Sequence, residues 1–534
     1  MAADARAWLA ALAALVVLSL LLGLPPIPGH MLAPDHRGLV LELPLLLAVL
    51  ALVRVRPQPA VAWVLGTACW LILLLRLADL VALMTAGRRF EPAFDPALVP
   101  ALWDVVAKGA SGLALGIGLI VGLGGLLLLC RWLAGLALVP LELKHGRPAL
   151  FALGLGCALA ALTGLPLVQP LDRGPVGAIA EQADRWQEAE RMQAAMRTVL
   201  AHDPTAGIAQ DSLFAALRGR PVILAWVESY GFSALTDPRQ AGIVRSRLAA
   251  LDTELAGAGF RRRSGLVESP VIGGRSWLAH GTLRAGIRQD QPLAQQLVLA
   301  AGRGGLVRSL DRAGWRTIAA MPGLSMQWLE GPAWGFEQVL DRSAFAYDGP
   351  TFGWSPMPDQ ALLASLTPER LAGDTRPLFL EIVLTSSHAP WTPLPPWPAD
   401  GASYTDTDLR PDYRDMAGAY GRSLDYSLRA LGDWLVRRAP TDALILILGD
   451  HPALDWISEG RDHLVPLHIL SRDAALLDRL DGLSLADGMV PDGNGKPLPM
   501  WDIYPQLLAR FGPQPLPAPP IHDDMAKKPG EATP

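Results

Sequence analysis

The sequence predicts an α-helical transmembrane N-terminal domain followed by a soluble α/β domain. Three observations lead there. The chain of 534 residues is 51% hydrophobic and only 18% charged, too apolar for an ordinary soluble protein. Its longest apolar runs all lie before residue 170. Beyond residue 218 short apolar runs alternate with helical stretches, the pattern of a sheet with helices on both faces.

Five apolar segments, at roughly 7–24, 38–53, 60–83, 111–138 and 149–168, approach the length of about 20 residues that crosses a bilayer. The second is short and carries Glu42. Arg54, Arg56, Arg131, Lys144 and Arg147 occupy the second and fourth loops, against Arg37, Arg88 and Arg89 in the first and third. This balance favours an inside N-terminus and places everything from Leu171 outside the cell membrane. Arg76 and Asp79, three apart within the third segment, are expected to satisfy each other. The third loop, "RRFEPAFDPALVPALWDVVAKG", is Pro-broken and then amphipathic, so it is expected to lie on the outer surface.

The domains expected are 1–170, five transmembrane helices; 171–217, an amphipathic linker; 218–513, the α/β domain; and 514–534, a disordered Pro-rich tail. In the linker Ile179, Trp186, Met192, Met196 and Leu200 recur at helical spacing, a stripe expected to pack on its own domain. The runs "PVILAWVE", "RTIAAM", "LFLEIVLT", "ALILILGD" and "VPLHIL" read as strands, and Ala417–Arg438 as a helix.

A net charge of −5 gives no global attraction for nucleic acid. The three cysteines, Cys69, Cys130 and Cys157, all lie in the apolar third, so the α/β domain can hold neither a disulfide nor a thiolate metal site.

Several predicted strands end in groups that suit a divalent cation. Glu228 closes "PVILAWVE", His388 follows "LFLEIVLT", Asp450 and His451 follow "ALILIL", and His463 just precedes "VPLHIL". Carboxylate oxygen and imidazole nitrogen are the donors that a hard or borderline cation takes. Parallel strands bring such ends to one sheet edge, where ligands of open α/β sheets bind. In "VIGGRSWLAHGTLRAGI", Ser276 follows two glycines and begins a helical pattern. Its hydroxyl is either a simple N-cap or a nucleophile seated where a helix terminus favours a phosphate or sulfate.

These residues carry a resemblance. The soluble half resembles the alkaline phosphatase superfamily in its sulfatase-like, membrane-anchored branch, which includes lipoteichoic acid synthases and phosphoethanolamine transferases. The resemblance implies an alkaline-phosphatase-like α/β fold over 218–513 and a metal held by Glu228, Ser276, Asp450 and His451. It makes Ser276 the nucleophile, in place of the Thr usual in these transferases. It also makes His388 in "TSSHAP" and His463, twelve positions after His451, substrate-side histidines that protonate the leaving group. Positions that grip glycerol phosphate in lipoteichoic acid synthases correspond here to Met321, Trp328 and Glu330. Trp328 and Glu330 are therefore expected at the substrate, and an aromatic beside a carboxylate suits a cationic head group. No C/S-x-P-x-R motif surrounds Ser276, which argues against sulfate-ester hydrolysis. The disulfides usual in phosphoethanolamine transferases are missing.

The implied activity is transfer of a phospholipid head-group phosphoester, phosphoethanolamine- or phosphoglycerol-like, through a phospho-serine to an envelope glycan or lipid. The implied cofactor is one divalent ion, Mn or Zn ahead of Mg. The chain is expected to act as a monomer in the cell membrane, with a membrane lipid as donor and no nucleic-acid partner. Within enzymes the alternative is a sulfatase-like phosphodiesterase or ester hydrolase with water as acceptor. Outside them it is an inactive scaffold of the same fold, disfavoured because each position of the set is chemically competent. His280 and His468 are assigned no role.

Overall fold

The computed structural model describes residues 2–23, 39–86, 90, 112–165, 168–169, 171, 174–324, 328, 330–373, 375–397, 413–458 and 463–513. The loop expected on the outer surface (apart from Phe90) and the tail 514–534 lie outside the described residues. The chain separates into two compact units, Met1–Arg191 and Met192–Pro534.

The first unit contains the helices Ala2–Leu22, Glu42–Leu52, Pro59–Ala86, Gly112–Leu138 and Gly146–Leu162. Three stretches, Asp4–Leu22, Pro59–Val81 and Gly116–Glu142, are long and apolar enough to cross a membrane. Of the five expected spans, the second and fifth form apolar helices of 11 and 17 residues, short of the usual crossing length. Ile120 and Val121 are 72% and 67% exposed, as apolar side chains facing lipid would be. Two short strands, β1 (Leu39–Val40) and β2 (Val168–Gln169), pair in parallel. Arg76 Nη2 donates to the Gly174 carbonyl at 3.0 Å, and Asp79 Oδ1 accepts from Phe90 N at 3.0 Å. Each thus has a partner beyond the pair that the sequence suggests.

The helix Pro175–Leu200 crosses from one unit to the next. Met192, Met196 and Leu200 join the apolar core of the second unit, while Ile179 and Trp186 are exposed. The stripe expected to pack on one domain is therefore split along its length.

The second unit is built on a nine-stranded mixed sheet. Its strands are β3 (Val222–Val227), β4 (Arg261–Glu268), β5 (Arg316–Ala320), β6 (Gln338–Leu340), β7 (Leu378–Leu384), β8 (Leu444–Gly449), β9 (Leu464–Ser471), β10 (Ala486–Asp487) and β11 (Leu498–Pro499). The order is β10-β4-β9-β8-β3-β7-β5-β6, with β11 beside β4. All five apolar runs read as strands are strands. The central ones are buried on both faces: alternate residues of β3 and β8 divide between two cores. Ile223, Ala225, Val227, Ile445 and Ile447 enter one, and Val222, Leu224, Trp226, Leu446 and Leu448 the other. Each fully buried aliphatic side chain contributes about 1.5–3 kcal/mol relative to exposure. The helices Ala241–Gly257 and Met416–Arg437 cover the first core, and Ser276–Ala285, Pro292–Ala301 and Ile503–Phe511 the second. This is the α/β architecture expected.

The register places the site. β7 and β8 flank β3 in parallel, with Val227 opposite both Leu384 and Gly449. The residues that follow these three positions therefore emerge side by side at one edge.

Candidate metal centre

Glu228 leaves the end of β3, and Asp450 and His451 leave the end of β8. Only glycine fits at 449, since a Cβ there would lie 2.0 Å from the Tyr230 carbonyl oxygen. That close approach holds the two strand ends together. Ser229 takes φ 56°, an uncommon backbone for a residue with a side chain, and all its polar groups are used. Its N–H donates to Asp450 Oδ1 at 2.8 Å, its hydroxyl to Glu228 Oε1 at 3.0 Å, and its carbonyl accepts from the Tyr420 hydroxyl at 2.7 Å.

Ser276 is the first residue of its helix. The N-cap position is Arg275, in the left-handed region, and it makes no side-chain cap. The Ser276 hydroxyl does not serve as a cap either. It donates to Glu228 Oε2 at 3.0 Å and lies 3.2 Å from His451 Nε2. The Ser276 hydroxyl is thus turned toward the two strand ends rather than toward the free backbone N–H groups of its own helix.

Glu228, Asp450 and His451 offer donor atoms that all lie within 4.8 Å of one another, and all three are buried. His451 Nδ1 is 2.8 Å from the Pro452 carbonyl, which places a proton there and makes Nε2, 3.3 Å from Glu228 Oε1, the nitrogen that must give up its proton to serve as a metal donor. Asp450 Oδ1 accepts from Ser229 N and from His451 N at 2.7 Å, whereas Oδ2 is buried with no hydrogen-bond partner. A buried carboxylate oxygen without a partner is costly, and a cation would complete it. With the Ser276 hydroxyl these groups supply oxygen, oxygen, nitrogen and oxygen donors that suit Zn or Mn.

The electrostatics point the same way. Burial alone would raise Glu228, but the hydrogen bond and charge of His451 outweigh it and hold the carboxyl well below its ordinary range. Burial raises Asp450, and the neighbouring Glu228 charge raises it further, to about 8. Burial opposes protonation of His451, yet Asp450 and Glu228 raise it to about 9. The cluster therefore holds protons at neutral pH that a divalent cation would displace.

The other sequence-predicted residues lie further out. His388 follows β7, is exposed, turns Nδ1 to the carbonyl of the next residue, Ala389 (2.6 Å), and has Trp354 at 6.0 Å between ring centroids. It is near enough for its charge to lower Glu228. His463 is half-buried, with Nδ1 3.0 Å from Ser269 O, and the Ser269 hydroxyl donates to the Asp450 carbonyl at 2.6 Å. Trp328 packs against Phe336 at 5.9 Å and carries the Arg284 guanidinium 5.1 Å from its ring centroid. Glu330 is exposed, at the N-cap of the short helix Gly331–Trp334. Among the described contacts, none joins Trp328 or Glu330 to Ser276 or to the carboxylates.

Sequence reasoning missed His280, Glu381 and Arg284. His280 Nε2 lies 3.9 Å from Asp450 Oδ2. Arg284 and Glu381 form a buried ion pair, and Glu381 Oε1 also accepts from Trp226 Nε1 at 2.9 Å. A signal was present: Glu381 is a charge inside an apolar strand, and such a group needs a partner. His468 is accounted for structurally, between the Ser264 hydroxyl at 2.7 Å and the Tyr230 hydroxyl at 3.2 Å, with burial lowering it to about 3.

Fold and site define an α/β unit, preceded by membrane-length apolar helices, with a carboxylate–imidazole–hydroxyl centre at its strand ends. No protein-family model matches the chain, and no curated protein sequence matches it. Solved structures do. Lipoteichoic acid synthase LtaP from Listeria monocytogenes is similar at 18% identity, covering 57% of this chain and 76% of that one, with TM-score 0.38. Phosphoglycerol transferase GacH from Streptococcus pyogenes, in complex with sn-glycerol-1-phosphate, is similar at 13% identity over 60% and 79%, with TM-score 0.36. The C-terminal periplasmic domain of EcEptC from Escherichia coli, a complex with Zn, is similar at 11% identity over 54% and 80%, with TM-score 0.37. Each is what this chain is similar to; its chemistry follows from its own residues.

Proposed function

We propose that the protein is a membrane-anchored, metal-dependent phosphotransferase that moves a phospholipid head-group phosphoester to an envelope glycan or lipid through a phospho-serine on Ser276. The observation that carries this reading is the Ser276 hydroxyl lodged between Glu228 Oε2 at 3.0 Å and His451 Nε2 at 3.2 Å, beside an unpartnered Asp450 oxygen. A hydroxyl held among two carboxylates and an imidazole in a buried cluster is placed for attack rather than for capping.

Glu228, Asp450, His451 and Ser276 would hold the cation, Zn or Mn. Bound there, it would lower the hydroxyl's pKa and offset charge on phosphoryl oxygens. The remaining steps belong to the chain. Ser276 O–H is already directed at Glu228 Oε2, which receives its proton as the Oγ–P bond forms. The helix N-terminus at Ser276 faces the phosphoryl oxygens with backbone N–H groups and the positive end of its dipole. As the bond from phosphorus to diacylglycerol oxygen breaks, His388 or His463 supplies the leaving oxygen with a proton. An acceptor hydroxyl then attacks the phospho-serine and gives its proton to the histidine that protonated the first leaving oxygen, while Ser276 Oγ departs and recovers its proton from Glu228. Trp328 and Glu330 are assigned to the head group. Anchoring in the cell membrane keeps the lipid donor at high local concentration, with the α/β unit outside.

Intact-mass measurement tests this. Full-length protein incubated with zinc and mixed phosphatidylethanolamine and phosphatidylglycerol should gain a mass that names the head group, and Ser276→Ala should gain none. An adduct that persists in Ser276→Ala discards the nucleophile. Release of free head-group phosphoester with glycan and lipid acceptors present, and no transfer, selects the hydrolase.

A further inference from the structure

Ser276, His280 and Arg284 are spaced four apart on the helix Ser276–Ala285, so they share one face. That face lies against three neighbouring strands. Ser276 meets Glu228 and His451 beyond β3 and β8, and Arg284 meets Glu381 within β7. His280 sits between them. Its ring lies on the Trp226 indole, with centroids 4.3 Å apart, and the indole N–H is itself fixed by Glu381.

His280 Nε2 is buried without a hydrogen-bond partner, and so is Asp450 Oδ2, the atom it faces at 3.9 Å. Two orphaned polar atoms turned toward each other in a closed interior are unfavourable unless something completes both. The separation is too long for a hydrogen bond, and a ring adjustment of about 1 Å would close it. The group whose donor atoms lie mutually within 4.8 Å contains Glu228, Asp450 and His451 but not His280. The imidazole therefore stands behind the donor set rather than in it.

We propose that His280 is a positioning residue that donates its Nε2–H to Asp450 Oδ2 and thereby aims that carboxylate at the cation. The inference rests on the reading that the cluster holds a divalent ion. A carboxylate oxygen has two lone pairs: one would face the ion and one His280. Hydrogen bonds of this kind behind a metal ligand are worth about 10–100-fold in affinity. The tilted contact with Trp226 packs the His280 ring against β3, and through it the orientation of Asp450 is tied to the helix that carries Ser276.

The test is calorimetric zinc titration of full-length protein in detergent. His280→Ala and His280→Phe, the second keeping a ring against Trp226, should weaken binding about 10–100-fold. His280→Gln, which carries an N–H at similar reach, should stay within about threefold of the wild type, and zinc-edge absorption of the wild type should count one imidazole, that of His451. If His280→Ala does not fold, His280→Phe decides. Unchanged zinc affinity in the Phe variant overturns the proposal. So does a wild-type count of two imidazoles that falls to one in His280→Phe, since His280 would then be a ligand. A wild type that binds no zinc or manganese removes the cation reading itself, a separate failure.

Discussion

Replacing Arg284 with methionine removes one half of an ion pair sealed inside the second unit. The Arg284 and Glu381 side chains are 2% and 0% exposed, and Arg284 Nε donates to Glu381 Oε2 at 3.1 Å. The guanidinium also lies 5.1, 5.6 and 5.4 Å from the ring centroids of Trp328, Trp334 and Phe336. Without it, Glu381 keeps only the Trp226 N–H within a closed apolar layer. Breaking a buried pair in this way costs about 3–5 kcal/mol. An unfolding entropy of about 2.1 cal/mol/K per residue over roughly 300 ordered residues makes that a fall of about 5–8 °C in Tm. Thermal unfolding followed by tryptophan fluorescence, with full-length protein in detergent, reads the shift. Arg284→Met with Glu381→Leu removes both charges and should recover most of the loss. A single variant within about 1 °C of the wild type, or a double variant no more stable than the single, would refute the account of the buried pair.

Four further outcomes follow from the site. Glu228→Gln and Asp450→Asn should each lower zinc affinity more than about 100-fold, beyond the loss from a group behind the ligands, and abolish turnover. The metal-free Asp450→Asn variant should unfold no earlier than the wild type, because a neutral amide replaces an acid whose ionisation is opposed by burial and by the Glu228 charge; a lower Tm would show that Asp450 is structural. Zinc affinity should rise with pH from about 6 to 9. His451 is raised to about 9 and Asp450 to about 8, so both hold protons below those values and release them above, and metal binding must displace them. By linkage the metal-free protein should lose stability over the same rise, since the folded state binds more protons than the unfolded one. A pH-independent zinc affinity between 6 and 9 would contradict the shifts.

The strand ends were legible because burial on both faces leaves a continuous apolar run that stops at Glu228 or Asp450. Parallel pairing then did the rest, bringing the ends together without any signal in the intervening hundreds of residues. β4 was not legible: "RRRSGLVE" opens with three arginines, whose side chains pair with Asp478, Asp252 and Asp481. From its neighbours alone Ser276 could be placed at a helix start with capping and attack both open, since they use the same hydroxyl, and it was the resemblance that made it the nucleophile; the strand ends it faces are remote in sequence. His280 and Arg284 were visible as repeats of Ser276 at four-residue spacing. Their partners, Asp450 and Glu381, are distant in sequence, so the spacing alone named no contact. The apolar segments at 38–53 and 149–168 looked like crossings by composition, yet the helices within them are shorter than the runs.

The central claim is that one ion is gathered by side chains from two strand ends and one helix start. Anomalous diffraction at the zinc edge, on crystals of the full-length protein grown with zinc, measures this directly. The account predicts one peak within about 2.0–2.5 Å of Glu228, Asp450, His451 and the Ser276 hydroxyl. A peak elsewhere, or an empty cluster at saturating zinc and manganese, would contradict it.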